Sequence, residues 1–154
     1  MSTTTQSVAH HSFTLTRDIP VPPERVFAAF ADLEQKKQWF GAEESFEADE
    51  RSFDFRVGGQ EVEDGQWHGG PRSRFVATYT DIVENERIVL TYDMWIDGKH
   101  ISTSLAAYEL EPTEAGTRLT HGEHGVYLDG FDDGSNRQEG TEGILDALVA
   151  YLTR

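Results

Sequence analysis

The sequence predicts an α+β fold, a curved antiparallel sheet wrapped around one long C-terminal helix. Three observations carry that expectation. From residue 51 to residue 127 apolar and polar positions alternate strand after strand. Pairs such as Gly58-Gly59, Glu84-Asn85 and Asp97-Gly98 leave room only for tight turns, so the strands form an antiparallel meander. An amphipathic segment then closes the chain, with Ile144, Leu145, Leu148, Val149 and Leu152 on one helical stripe.

Taken in order, residues 1–11 are polar and aperiodic and read as a disordered tail that includes His10 and His11. Residues 12–154 read as a single domain. Phe13, Leu15 and Ile19 alternate with polar neighbours, Arg17 being the exception, and predict a half-buried strand over 12–19. Pro22 and Pro23 open a helix, where the missing proline N–H would be an orphan anyway. Val26, Phe27, Phe30 and Leu33 continue it at helical spacing. Asp32 with Gln35 resembles a capping box for a second short helix, which ends at Trp39-Phe40 with Gly41 as a left-handed cap. These helices, over 22–40, are expected to brace one end of the sheet. Six further strands are predicted at 51–57, 60–67, 73–83, 86–96, 99–110 and 117–127. The last helix is predicted over 135–153, with Ser135 and Gln138 as another capping-box match. Gly140, Thr141, Gly143 and Ala147 make its first half small, which serves either close sheet contact or room for a ligand.

Composition narrows the function. At 154 residues the chain has enough length to bury ~68–70% of its unfolded surface in one domain. A net charge of −15 repels phosphate backbones and anionic lipid headgroups, arguing against nucleic-acid and membrane-surface partners. The absence of cysteine excludes disulfides, a thiol nucleophile and thiolate metal ligands. The N-terminus lacks the basic start and apolar core of a signal peptide, and no window approaches the ~18 apolar residues of a membrane span. A cytoplasmic protein is therefore expected, and a homodimer is left open.

Several motifs in this order carry a resemblance. They are Pro22-Pro23-Glu24-Arg25-Val26-Phe27, then Trp39-Phe40, then Phe53-Asp54-Phe55-Arg56-Val57-Gly58-Gly59. Ile82-Val83-Glu84-Asn85-Glu86-Arg87-Ile88, Gly116-Thr117-Arg118-Leu119-Thr120 and Glu139-Gly140-Thr141 complete them. Over roughly residues 12–153 the chain resembles the START-type helix-grip superfamily (SRPBCC). Within it, the chain is similar to the branch named for activators of the heat-shock-protein-90 ATPase. The resemblance implies a helix-grip fold with a cavity between sheet and helix, holding a small hydrophobic or amphipathic ligand without metal or redox cofactor. It also brings two alternatives, a polyketide cyclase or aromatase-type enzyme and a chaperone-interaction module. In the eukaryotic activators this domain follows a larger one, whereas only a short segment precedes residue 12 here. A chaperone partner is therefore the less favoured expectation.

Candidate site residues follow from strand faces. Phe75 with Tyr79, Tyr92 with Met94, and Tyr108 with Leu110 are expected to point toward the helix, either filling a solid core or lining a pocket. Trp39, Phe55, Trp67, Phe75, Tyr92, Met94, Tyr108 and Tyr127 are the candidate pocket lining. His121 and Glu123 share a strand face ~7 Å apart and are open to three roles: an acid/base pair, orientation of a polar ligand group, or a solvated strand end. No catalytic residue is assigned. Asp129-Gly130-Phe131-Asp132-Asp133-Gly134 lacks the ligand spacing of a calcium loop and is explained by helix capping; the other option is a loop that gates the cavity entrance with Phe131 as its apolar plug. Neither His10-His11 nor His121 with His124 has metal-site spacing. Gly58-Gly59 and Gly69-Gly70 read as turns, not phosphate loops.

Overall fold

The turn signals place neighbours in the chain beside each other in space. The computed structural model describes residues 6–154, so residues 1–5 of the expected tail lie outside the described residues. The elements run β1 (Val8–Ile19), α1 (Pro23–Ala31), α2 (Leu33–Lys36), β2 (Phe46–Phe53), β3 (Gln60–Trp67), β4 (Arg72–Val83), β5 (Arg87–Ile96), β6 (Lys99–Pro112), β7 (Thr117–Leu128) and α3 (Ser135–Leu152). All seven strands form one antiparallel sheet in the order β1-β7-β6-β5-β4-β3-β2. β1 thus returns to pair with β7, and β1 and β2 remain as edges of an unclosed sheet. Bulges between Ala48 and Glu50, Tyr79 and Asp81, and Met94 and Trp95 bend the strands and support the curvature. This is the α+β helix-grip fold that the sequence predicts.

Pleat alternation decides what faces α3. Ala77 and Tyr79 of β4, Ile88, Leu90 and Tyr92 of β5, Ala106 and Leu110 of β6, and Leu119 of β7 are buried in one core with Leu145, Leu148 and Leu152 of α3. α1 adds Val26, Phe27 and Phe30 to the same core. Trp39 is pinned after α2: its Nε1 donates to the Ala29 carbonyl at 3.1 Å while its ring meets Phe30 at 4.9 Å. Gly41 then turns the chain at φ +68, and a Cβ there would stand 2.5 Å from the Glu63 carboxylate. Only glycine meets both demands.

Several local expectations change. β1 begins at Val8, so His10 and His11 belong to a strand paired with β7 rather than to a tail. β2 spans Phe46–Phe53 instead of 51–57, and residues 54–59 form a longer connection from which Phe55 projects inward. The reason is that Glu47, Ala48, Asp49 and Glu50 of this edge strand are all exposed, so no hydrophobic alternation marks it. The capping box at Ser135 does not form. Gly134 is the N-cap residue at φ +102, Asp133 accepts from the Ser135 N–H and hydroxyl, and Gln138 instead meets His11 Nε2 at 2.8 Å. The Asp97-Gly98 turn has positive φ at both residues, as a tight hairpin requires.

Candidate functional site

A cavity of about 420 Å³ lies between the concave face of the sheet and the first turns of α3. Each wall follows from an element already described. β4 and β5 supply Phe75, Tyr79, Leu90, Tyr92 and Met94, and β6 supplies Ala106 and Tyr108. The α2 exit contributes Trp39 and Phe40, the 54–59 connection contributes Phe55, and Trp67 with Phe46 closes the far end, their rings 4.9 Å apart. Gly140 lies on the α3 side, and a Cβ there would meet nothing within 4 Å. Its small size leaves room; close sheet contact is not what it serves.

Of the sequence-predicted site residues, Trp39, Phe55, Trp67, Phe75, Tyr92, Met94, Tyr108, His121 and Glu123 all reach this wall. Tyr127 does not. It is fully buried on the inward face, but its ring packs 5.3 Å from the Arg137 guanidinium, outside the cavity lining. Phe131 is not a plug either. It is half exposed and absent from the lining, and Asp132 is the residue of its loop that reaches the cavity. The loop carboxylates are engaged locally: Asp129 accepts from the Ser7 N–H, Asp132 from the Gly134 N–H and Asp133 from Ser135.

Two polar clusters interrupt the apolar wall. On β7, His121 Nε2 lies 2.9 Å from Glu123 Oε1, with both residues buried. Tyr92 Oη donates to Glu123 Oε2 at 2.5 Å and accepts from Arg137 Nη1 at 3.0 Å. The His121 ring is held between Phe13, stacked at 5.8 Å, and Tyr108, edge-on at 4.5 Å. His121 and Glu123 are therefore not at a solvated strand end. Burial pushes the Tyr92 hydroxyl up, partly offset by Arg137 and reinforced by Glu123, so it stays a donor.

The second cluster is built on β3. Lys36 Nζ meets Glu61 Oε1 at 2.6 Å, and Tyr79 Oη donates to the same oxygen at 2.5 Å. Next to it, Arg51 Nη1 stands 2.6 Å from Glu63 Oε2 and donates to the Phe40 carbonyl at 3.2 Å. Burial raises the Glu63 carboxyl to about 7 although Arg51 pulls the other way. Among the described residues no group of three or more His, Asp and Glu side chains is arranged to hold a metal ion.

Lys36, Glu61, Glu63 and Arg137 escape sequence reasoning. Glu61 and Glu63 share the strand face of the candidate wall residue Trp67, so alternation from Trp67 was the signal that could have found them; their charge kept them from being candidates, and both are buried. Lys36 and Arg137 sit among polar helical neighbours, and no local pattern separates a cation that faces the cavity from a solvated one.

Comparison with known proteins agrees with this architecture. Residues 20–153 match the family model described as Activator of Hsp90 ATPase homolog 1-like protein. A solved structure from Rhizobium loti is 46% identical, with a TM-score of 0.87, covering 94% of this chain and 99% of that one. Another from Rhizobium leguminosarum is 36% identical, with a TM-score of 0.92, covering 97% and 98%. An AHSA1-like protein from Aeromonas hydrophila shares the fold at 18% identity, with a TM-score of 0.70 and coverage of 93% and 92%. The search of curated proteins finds no match. With its open seven-stranded sheet gripping α3, this chain belongs to the Activator of Hsp90 ATPase homolog 1-like family, on the helix-grip fold.

Proposed function

We propose that this protein binds a small hydrophobic or amphipathic molecule in the cavity between the sheet and α3. The observation that carries this reading is the cavity itself, about 420 Å³ with mostly aromatic and aliphatic walls and a few converging polar groups. That size and lining are those of small-molecule sites in general. A thermal-shift screen of sterols, fatty acids, flavonoids and aromatic polyketides, with native mass spectrometry of the purified protein, tests it. A ligand at ~100 times its dissociation constant adds ~2.7 kcal/mol, or roughly 5–11 °C for a domain of this size. A co-purified mass or a shift of that order is the expected result; an empty protein unmoved by the whole panel contradicts it.

A second reading is favoured by one observation, the buried His121–Glu123 pair at 2.9 Å on the cavity wall. In an enzyme of the cyclase kind, Glu123 orients the imidazole and His121 moves a proton on the bound ligand. His121→Gln then abolishes turnover of a ligand that it still binds. Unchanged turnover rules that role out.

A further inference from the structure

One half-buried cation on the cavity wall has an unusual environment. Arg137 lies near the start of α3 and lines the cavity. Its guanidinium donates from Nη1 to Tyr92 Oη at 3.0 Å and Ser104 Oγ at 3.4 Å, and from Nη2 to Ser102 Oγ at 2.8 Å. All three partners are neutral hydroxyls, and no carboxylate oxygen is within ion-pair distance of it among the described residues. A guanidinium has more N–H donors than these three bonds use. Nε–H and one Nη2–H have no acceptor among the described residues and are open to the cavity side.

β6 is shaped to hold this cation. Its inward positions are Ser102, Ser104, Ala106, Tyr108 and Leu110, and the two serines at 0 and 2% exposure stand where alternation calls for apolar side chains. The charge is answered at one remove. Arg137 donates to Tyr92, Tyr92 donates to Glu123, and His121 closes the relay on the other carboxylate oxygen. Glu123 and Asp132 share this wall, so a second carboxylate would face repulsion while a neutral acceptor would not.

We infer that Arg137 is the polar anchor of the cavity and that it takes the neutral carbonyl oxygen of a ligand whose body is apolar, such as a ketone, quinone or ester. The inference rests on the reading of the cavity as a ligand site. It assigns a ligand class and an orientation, with the carbonyl toward the start of α3 and the apolar body between Phe75, Met94 and Tyr108.

The test uses probes with one naphthalene body. 2-Acetylnaphthalene presents a carbonyl, 2-ethylnaphthalene is its hydrocarbon counterpart, and 2-naphthoate adds a negative charge. Dissociation constants are measured by calorimetry, and the Arg137 Nε–H resonance is followed by ¹⁵N NMR. The ketone is expected to bind about tenfold tighter than the hydrocarbon, the size of one hydrogen bond to a charged group, and tighter than the carboxylate. It alone of the two neutral probes is expected to move the Arg137 Nε–H signal. Arg137→Met together with Glu123→Gln, which leaves no buried charge unpaired, is expected to equalise ketone and hydrocarbon; the wild-type comparison decides if this variant does not fold. Equal binding of the two neutral probes, or an unmoved Arg137 signal, overturns the anchor and leaves the container standing. Tighter binding of 2-naphthoate overturns the neutral-carbonyl assignment. Failure of all three probes to bind overturns this inference, while the container reading is decided separately by the thermal-shift panel.

Discussion

Glu63 shows how one buried side chain ties the site to pH. Its carboxyl is raised from 4.5 to about 7, chiefly by burial, with Arg51 opposing and Glu61 reinforcing. Between those two values the native protein holds a proton that the unfolded chain has released. Stability contributed by this group is thus fully present below about 4.5 and is lost as pH rises through about 7. At ~1.4 kcal/mol per pH unit the loss is on the order of 3 kcal/mol. Glu63→Gln should flatten that fall, seen as a smaller change in urea-derived stability from pH 4.5 to 7.5 than in wild type. Parallel curves for the two proteins would remove Glu63 as the cause. Lys36 and Glu61 make the complementary case. Lys36→Met strands a carboxylate that is fully buried and should cost about 3–5 kcal/mol, while Lys36→Met with Glu61→Gln should recover most of it. If the two single costs simply add in the double variant, the pair is not coupled.

At the scale of elements, the regular parts were legible and the charged ones were not. α3 declares itself because Leu145, Leu148 and Leu152 repeat at helical spacing and are the residues it buries. The hairpin between β5 and β6 declares itself through Asp97-Gly98, whose positive φ values favour those two residue types. β2 did not, since an edge strand with little to bury needs no apolar alternation. Its missing first half displaced Phe55 from a strand into a connection, although Phe55 still reaches the cavity. A one-residue register error would have turned every wall residue outward. Phe75, Tyr92, Met94 and Tyr108 reached the cavity because β4, β5 and β6 keep their alternation over most of their length. α3 also carries a local cost that nothing in its packing requires. Gly143 is exposed within the helix, and an added Cβ would touch nothing within 4 Å. Gly143→Ala should therefore stabilise the protein by about 1 kcal/mol, or roughly 2–4 °C in Tm, without altering ligand affinity. A lower Tm would mean that the helix start needs the flexibility of that glycine.

For the whole molecule, the helix-grip arrangement explains why fold was easier to read than contents. Sheet order and helix burial follow from patterns spread over many residues, so single irregularities do not disturb them. The cavity chemistry depends on Lys36, Glu63 and Arg137, each of which faces the cavity only because distant strands meet around it. A container should be blocked by filling it. Ala106 lies on the cavity floor, opposite Leu90 on β5 and Glu123 on β7. Ala106→Phe should keep the fold, read by circular dichroism, and weaken any ligand identified by the thermal-shift screen at least tenfold. Unchanged affinity in a folded Ala106→Phe protein would place the ligand elsewhere.

The most direct measurement exploits the chain's two methionines, Met1 and Met94, of which Met94 lines the cavity. With ¹³C-methyl methionine, the NMR spectrum carries a reporter at Met94 on the cavity wall. Titration with the apolar ligands of the screen should shift the Met94 methyl in a saturable way. A Met94 signal unchanged by every ligand of the panel, or by one that calorimetry shows to bind, would contradict the account.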